Sequence, residues 1–179
     1  MLEEGDGILV ERCRAGDRRA FEVLVVRYQK PVFNAALRML RDPDDAHDVA
    51  QTVFLKVYEH LADYDPTYKF YSWIYRIAVN ESLNALGRRR RHEPIVGDEP
   101  DGAPGPEGQL DGQQVGRGIR KALMTLKPDH RSVIVLRHFL ECSYQDMAEI
   151  LSLPEKTVNS RLFAARQQLA EALRRDGVD

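Results

Sequence analysis

Residues 143–174, SYQDMAEILSLPEKTVNSRLFAARQQLAEALR, carry the pattern from which the rest of the chain is read. Ser143 followed three residues later by Asp146 is a capping box, in which each side chain satisfies the other's free backbone N–H at a helix start. A short helix with Met147, Ala148 and Ile150 follows, and residues 151–154, LSLP, form the turn. The next helix is predicted from Glu155 to about Arg174. Val158, Leu162, Ala165, Leu169 and Leu173 recur at intervals of 4, 3, 4 and 4, one buried stripe of a 3.6-residue helix. The face away from it presents Lys156, Asn159, Ser160, Phe163 and Gln167, flanked by Arg161 and Arg166. A short helix, a tight turn and a longer helix in a basic segment is the layout that places its second helix in the major groove of DNA. Asn and Arg can read base edges there, while Lys and Ser hold phosphates. The plainer alternative is a helical hairpin with a solvated polar face.

Upstream, Ala122, Leu123 and Leu126 begin an apolar helix, and Pro128 opens another that runs through Leu140. Before them, residues 92–116 read HEPIVGDEPDGAPGPEGQLDGQQVG, with six acids and no Lys or Arg. So polar and Gly/Pro-rich a segment cannot bury enough surface to offset its chain entropy. It is expected to be a flexible acidic linker between a domain over 1–91 and a DNA-binding domain over 117–179. The net charge of −2 conceals this division, because an acidic middle is flanked by two basic ends. Arg88-Arg89-Arg90-Arg91 stands just before the linker, either as a solvated helix end or as a contact for a polyanion.

Several classes are excluded. The longest purely apolar runs, 23–26 and 133–136, fall far short of the roughly 20 residues of a membrane span. The start, MLEEGDG, lacks the layout of a signal peptide, so a cytoplasmic location is expected. Two cysteines, Cys13 and Cys142, are too few for a disulfide scaffold or a thiolate zinc site. The five histidines show no metal-ligand spacing, so no metal and no other cofactor is expected.

The first half reads as helices throughout. Phe21, Leu24, Val25 and Tyr28 share one face, with Asp17 as N-cap, and Pro31 is read as opening a second helix with Val32, Phe33, Ala36, Leu37 and Leu40. The next helix, from about Asp45 to Leu61, buries Ala46, Val49, Ala50, Val53 and Val57. It shows Asp44, Asp48, Gln51, Leu55 and Tyr58 on the other side. Asp44, Asp45 and Asp48 invite a metal-dependent phosphoesterase reading. No second ligand cluster accompanies them, however, and acids suit a first helical turn. Leu55 and Tyr58 beside the acids favour a protein-docking face. After the loop 62–71, ADYDPTYKFY, a helix carries Trp73, Ile74, Ile77 and Ala78 as core, and Ser72, Arg76, Asn80, Asn84 and Arg88 as a polar, cationic stripe. Aromatics beside cations suit single-stranded nucleic acid, with stacking on bases and neutralisation of phosphates.

Taken in order, AFEVLVVRYQKPVFNAALRML, DPDDAHDVAQTVFLKVY, FYSWIYRIAVNESLNALGRRRR, LKPDHRSVIVLRHFLECSYQDMAEIL and TVNSRLFAARQQL make the chain resemble the extracytoplasmic-function group of bacterial RNA polymerase sigma factors along nearly its whole length. The resemblance implies an all-α fold of two small domains joined by a linker. The first would melt promoters and the second, a helix-turn-helix, would read the −35 element. It implies no catalysis and no small-molecule substrate. Partners would be core RNA polymerase, promoter DNA and an anti-sigma factor, often membrane-anchored. Asp45, Asp48, Gln51 and Phe54 would dock on polymerase. Tyr64, Lys69, Phe70, Arg76, Asn80, Asn84 and Arg88 would hold the unpaired −10 element. Lys156, Thr157, Asn159, Ser160, Arg161, Phe163 and Arg166 would meet the −35 duplex. His47 and Thr52 stand where relatives commonly have glutamate, and Asn159 and Ala164 where arginine is frequent, so a different −35 preference is expected. The competing readings are a helix-turn-helix regulator acting without polymerase, and a structural helical adaptor with no salt-sensitive DNA affinity.

Overall fold

A computed structural model of the chain describes residues 5–92 and 110–177, with side chains placed over 5–89 and 116–177. The described residues form helices and turns and contain no strand. In order these are α1 (Asp6–Arg14), α2 (Arg18–Leu40), α3 (Pro43–Glu59), a 3-10 turn (Leu61–Asp63), α4 (Phe70–His92), α5 (Leu110–Thr125), α6 (Pro128–Ile134) with a wider π-type turn over Val135–Phe139, α7 (Tyr144–Leu151) and α8 (Glu155–Arg175).

α2, α3 and α4 pack on one another, with α1 laid across α2. Asp17 caps α2 by accepting from the Arg19 N–H at 3.0 Å. The expected break at Pro31 does not occur, and α2 continues through it. A proline inside a helix forfeits one backbone bond. Here Leu24, Tyr28, Val32, Ala35, Ala36, Met39 and Leu40 are all buried along one helix, and that packing outweighs the lost bond. Arg41 ends α2 in the left-handed region at φ 67°. Asp42, with Pro43 at the first helical position, then starts α3. Arg14 ties α1 to the loop after α3, donating to the carbonyls of Leu61, Ala62 and Tyr64.

α5, α6, α7 and α8 form a second bundle around Val133, Ile134, Leu136, Met147, Ile150, Val158 and Leu162. α5 begins at Leu110, inside the segment expected to be linker. The last proline there is Pro106, so no proline interrupts a helix beyond it, and α5 accommodates Gly112 and Gly116. The remainder of the expected linker, 93–109, lies outside the described residues. The two bundles touch. α4 packs on α7, and α2 packs on α5, α6 and the π-type turn. Arg131, buried at 6% exposure, crosses between them. Its guanidinium donates to the carbonyls of Leu123 (2.9 Å), Met124 (3.1 Å) and Leu126 (3.1 Å) in its own bundle, and to Met39 at the end of α2.

Candidate nucleic-acid and polymerase interfaces

The helix-turn-helix is formed by α7 and α8. Ser143 Oγ accepts from the Asp146 N–H at 3.1 Å, and the Asp146 carboxylate accepts from the Ser143 N–H at 2.9 Å, so the capping box is complete. Ser152 takes the left-handed C-cap conformation at φ 53°. Val158, Leu162 and Ala165 are fully buried, which rotates Lys156, Asn159, Ser160, Phe163 and Gln167 into solvent. Phe163 is 64% exposed, so it does not cover a neighbouring helix. The flanking residues are engaged with the protein. Thr157 is half-buried, and its carbonyl accepts from Ser160 Oγ at 3.0 Å. Half-buried Arg161 leans 3.8 Å from Asp129 on α6. Arg166 Nε donates to His138 Nε2 at 3.2 Å. Burial, then the cations Arg166 and Arg137, pull the His138 imidazole below its ordinary range, which keeps Nε2 an acceptor.

On α3 the clustered acids have separate uses. Asp42 accepts from the N–H groups of Asp44 (2.9 Å) and Asp45 (3.1 Å). Those backbone donors, helped by Arg89, hold its carboxyl below the usual range despite some burial. Arg89 reaches back to Asp42 at 2.8 Å and Asp45 at 3.0 Å, so Asp45 is spent internally, while Asp44 and Asp48 are exposed. Among the described residues, no cluster of three or more His, Cys, Asp or Glu is arranged to hold a metal ion.

Beside these acids runs an apolar groove of about 720 Å³ between α2 and α3, lined by Phe21, Val25, Phe33, Ala50, Phe54 and Leu55, with Gln51 on its edge. Phe21 and Tyr58 meet edge-on at 5.1 Å, and Phe33 lies against His47 at 4.4 Å. Leu55 (63%) and Tyr58 (57%) face solvent. The α2 wall was missed by reading Phe21, Val25 and Phe33 as core. They recur at multiples of four, offset from the stripe Leu24, Tyr28, Val32, and a second apolar stripe on one helix signals a second partner.

The expected single-strand site divides. Tyr64 (6%) and Phe70 (3%) are core residues, which corrects their reading as base-stacking rings. They pack edge-on at 5.6 Å, both touch Trp73, and Phe70 also meets Tyr28 at 5.5 Å. A loop aromatic carries no periodicity to say whether it faces inward, and here four rings close the end of the bundle. Tyr68 is the exposed aromatic of the loop, at 51%. Asn80, Asn84 and Arg88 are exposed along α4. Lys69 and Arg76 are occupied by the other bundle. Lys69 Nζ donates to Asp146 Oδ1 at 3.0 Å, Tyr71 OH donates to the same oxygen at 2.9 Å, and Arg76 donates to the Glu149 carbonyl. Burial pushes the Asp146 carboxyl up, but donors from Ser143, Lys69 and Tyr71 outweigh it and hold the group at about 2.

The chain matches the family models for Sigma-70 region 2 over residues 24–92 and Sigma-70 region 4 over 117–169. It is 34% identical to the RNA polymerase sigma-H factor of Pseudomonas aeruginosa over 185 aligned residues, covering 97% of this chain and 96% of that one. Identity to the ECF RNA polymerase sigma-E factor of Escherichia coli K12 is 35% over 176 residues, 92% of each chain. Among solved structures, CnrH in complex with the cytosolic domain of CnrY superposes with a TM-score of 0.76 at 26% identity, covering 97% of this chain and 99% of that one. A helix-turn-helix, an apolar groove between α2 and α3 and a cationic α4 thus occur in one chain aligned end to end with such factors, and the protein belongs to the extracytoplasmic-function (ECF) group of bacterial RNA polymerase sigma factors.

Proposed function

We propose that this sigma factor divides its work between residues 1–91, which dock on core RNA polymerase and capture the opened −10 strand, and residues 117–179, which read the −35 duplex, with 92–116 as the connection. The observation that carries this reading is the coexistence of two exposed surfaces of opposite character. One is the polar recognition face of α8, and the other is the apolar groove of α2 and α3 beside Asp48 and Gln51. An isolated operator-binding regulator has no use for the second.

Phe54 and Leu55 supply the apolar contact for polymerase, with Asp48 and Gln51 at the rim fixing register, as polar groups do around an apolar interface centre. Asp45 acts through Arg89 to hold the start of α3. On α4, Asn80 and Asn84 are suited to base edges, and Lys69, Arg76 and Arg88 to the backbone of the separated strand. Strand opening then draws on affinity for a state the duplex does not present. On α8, Asn159 is suited to a bidentate contact with adenine and Phe163 to a thymine methyl. Lys156, Thr157 and Ser160 serve phosphates, together with Arg161 and Arg166 once released from Asp129 and His138.

No helix among the described residues is long and apolar enough to cross a membrane. The factor is read as cytoplasmic, with an anti-sigma protein as its regulator and any tether to the membrane belonging to that partner. Run-off transcription with purified core polymerase and a promoter library tests the whole reading. Initiation at a discrete set of promoters only when this chain is added is the expected result, and operator binding without initiation would overturn it.

A further inference from the structure

Helix α1 lines neither the apolar groove nor the α8 face, and it lies outside residues 24–92 matched to Sigma-70 region 2. Its last residue, Arg14, nonetheless bonds to the loop between α3 and α4. Nε donates to the Leu61 carbonyl at 3.2 Å, and Nη2 donates to the carbonyls of Ala62, at 3.1 Å, and Tyr64. Nη1 is held at 2.9 Å by Glu11, one turn back on α1, so the whole guanidinium is placed. Carbonyls at a helix end lack partners within the helix, and a planar fork of donors suits several of them at once. The same cation lies 6.0 Å from the centre of the Tyr64 ring, whose OH donates to the Tyr68 carbonyl. The turn beyond closes on itself. Tyr68 N–H donates to the Asp65 carbonyl at 3.2 Å, and Asp65 Oδ1 accepts from Thr67 N–H at 2.9 Å and from Thr67 Oγ1 at 2.8 Å. A continuous set of bonds thus runs from α1 through Tyr64 to the loop tip, where the Tyr68 side chain stands 51% exposed.

We infer that Arg14 is a positioning residue for capture of the −10 strand: from α1 it fixes the loop over 61–68, so that the Tyr68 ring is presented for stacking on an unpaired base. Tyr64, Phe70 and Trp73 pack on one another, which leaves Tyr68 as the ring of this loop with an open face. A loop tip without anchoring bonds samples many conformations, and that freedom is lost when a ligand orders it. Ordering the tip beforehand removes this cost from binding. With its donors directed at Glu11 and the loop carbonyls, Arg14 acts through Tyr68 and not on the strand itself.

The inference rests on the assignment of residues 1–91 to the −10 strand, and the test separates the two. Holoenzymes assembled on wild type, Arg14→Ala, Tyr68→Ala and the double variant are titrated with a fluorescent degenerate single-stranded dodecamer. Tyr68→Ala should lose about tenfold in affinity, the size of one base stack, and Arg14→Ala about fivefold. Tyr68→Phe keeps the ring face and should bind as wild type. Because Arg14 acts through Tyr68, the double variant should be no weaker than Tyr68→Ala alone. In the free chain, Arg14→Ala should quicken hydrogen exchange over 61–69 and leave α2 to α4, helical content and core-polymerase affinity at their wild-type values. Additive losses, unchanged affinity in either single variant, or weakened core-polymerase binding by Arg14→Ala overturns the inference. If Asn80→Ala weakens strand binding and Tyr68→Ala does not, the −10 assignment stands and the positioning role falls. If wild-type holoenzyme binds the dodecamer no better than core polymerase, the −10 assignment fails and takes the inference with it.

Discussion

The two surfaces proposed to meet nucleic acid differ in what their cations are doing. On α8, Lys156 stands in solvent and the face between it and Gln167 is open. On the loop before α4 and its first turns, Lys69 and Arg76 are bonded to the other bundle and Ser72 is buried. Duplex DNA exists before the factor arrives, whereas an unpaired strand exists only after opening begins. A surface for the first can stay exposed. A surface for the second, left exposed in the free factor, would bind any single-stranded nucleic acid it met, since stacking and phosphate contact carry little sequence information.

The most severe way to break this comparison is to remove one side of it. Leu162 is fully buried at the centre of the second bundle. Leu162→Ala should cost about 2–5 kcal/mol of stability in that bundle, abolish duplex binding, and free Lys69 and Arg76. Hydrogen exchange should show lost protection across α6 to α8 with α3 still protected. Equal loss in both bundles would mean they are one cooperative unit.

Next in size is the apolar groove of α2 and α3, proposed to dock polymerase. Leu55 is 63% exposed and lines it, so Leu55→Asp changes a surface without disturbing the core. A charge in an apolar contact centre should weaken core-polymerase binding by about 2–4 kcal/mol, measured by competition titration, with −35 duplex affinity unchanged. The smaller change Asp48→Ala with Gln51→Ala should act in the same direction.

How much of this was legible in the sequence follows from the range of the interactions concerned. The capping box of Ser143 and Asp146 and the exposed side of α3 are local patterns that the structure holds as read, and of the α8 stripe Val158, Leu162 and Ala165 are buried while Leu169 and Leu173, toward the helix end, are half-buried. Pro31 was misread because a local rule met a long-range one, and packing along α2 prevailed. Tyr64 and Phe70 were misread because the loop gives aromatic rings no period. The bonds of Lys69 and Tyr71 to Asp146 join positions 75 or more apart in the chain, so no local pattern points to them. Arg131 is the plainest case: a charge between Pro128 and Ile134 reads as surface, yet four backbone carbonyls bury it.

Two asparagines sharpen the comparison directly. Asn80→Ala should lower holoenzyme affinity for a −10 single strand by about 1–3 kcal/mol and slow open-complex formation followed by permanganate reactivity. Asn159→Arg should leave −10 binding alone and move one −35 position from A·T toward G·C, by a similar amount, in a promoter-library selection. If Asn159→Arg altered no base preference while Arg166→Ala did, the reading face would lie further round α8 than assigned.

The smallest expected effect concerns Arg166, which is held on His138 in the free protein. Burial and the cations Arg166 and Arg137 depress the His138 basicity. A depressed value means the contact is fully present above the ordinary histidine pKa of about 6.5 and is lost as pH falls through the lowered folded value. The neutral ring accepts from Arg166, whereas the protonated ring has no lone pair to offer and carries a like charge. In an NMR titration of the free protein, the His138 midpoint should therefore lie below the ordinary histidine value of about 6.5. Arg166→Ala should move it upward, by removing both a cation and a donor to the neutral form. Binding a −35 duplex should also move it upward, because a phosphate that draws Arg166 away brings negative charge near the ring. If the His138 midpoint rose in Arg166→Ala but stayed fixed when the duplex bound, Arg166 would remain on His138 in the complex. Its part would then be to brace α8 against the turn after α6, and the phosphate contacts would fall to Lys156 and Arg161.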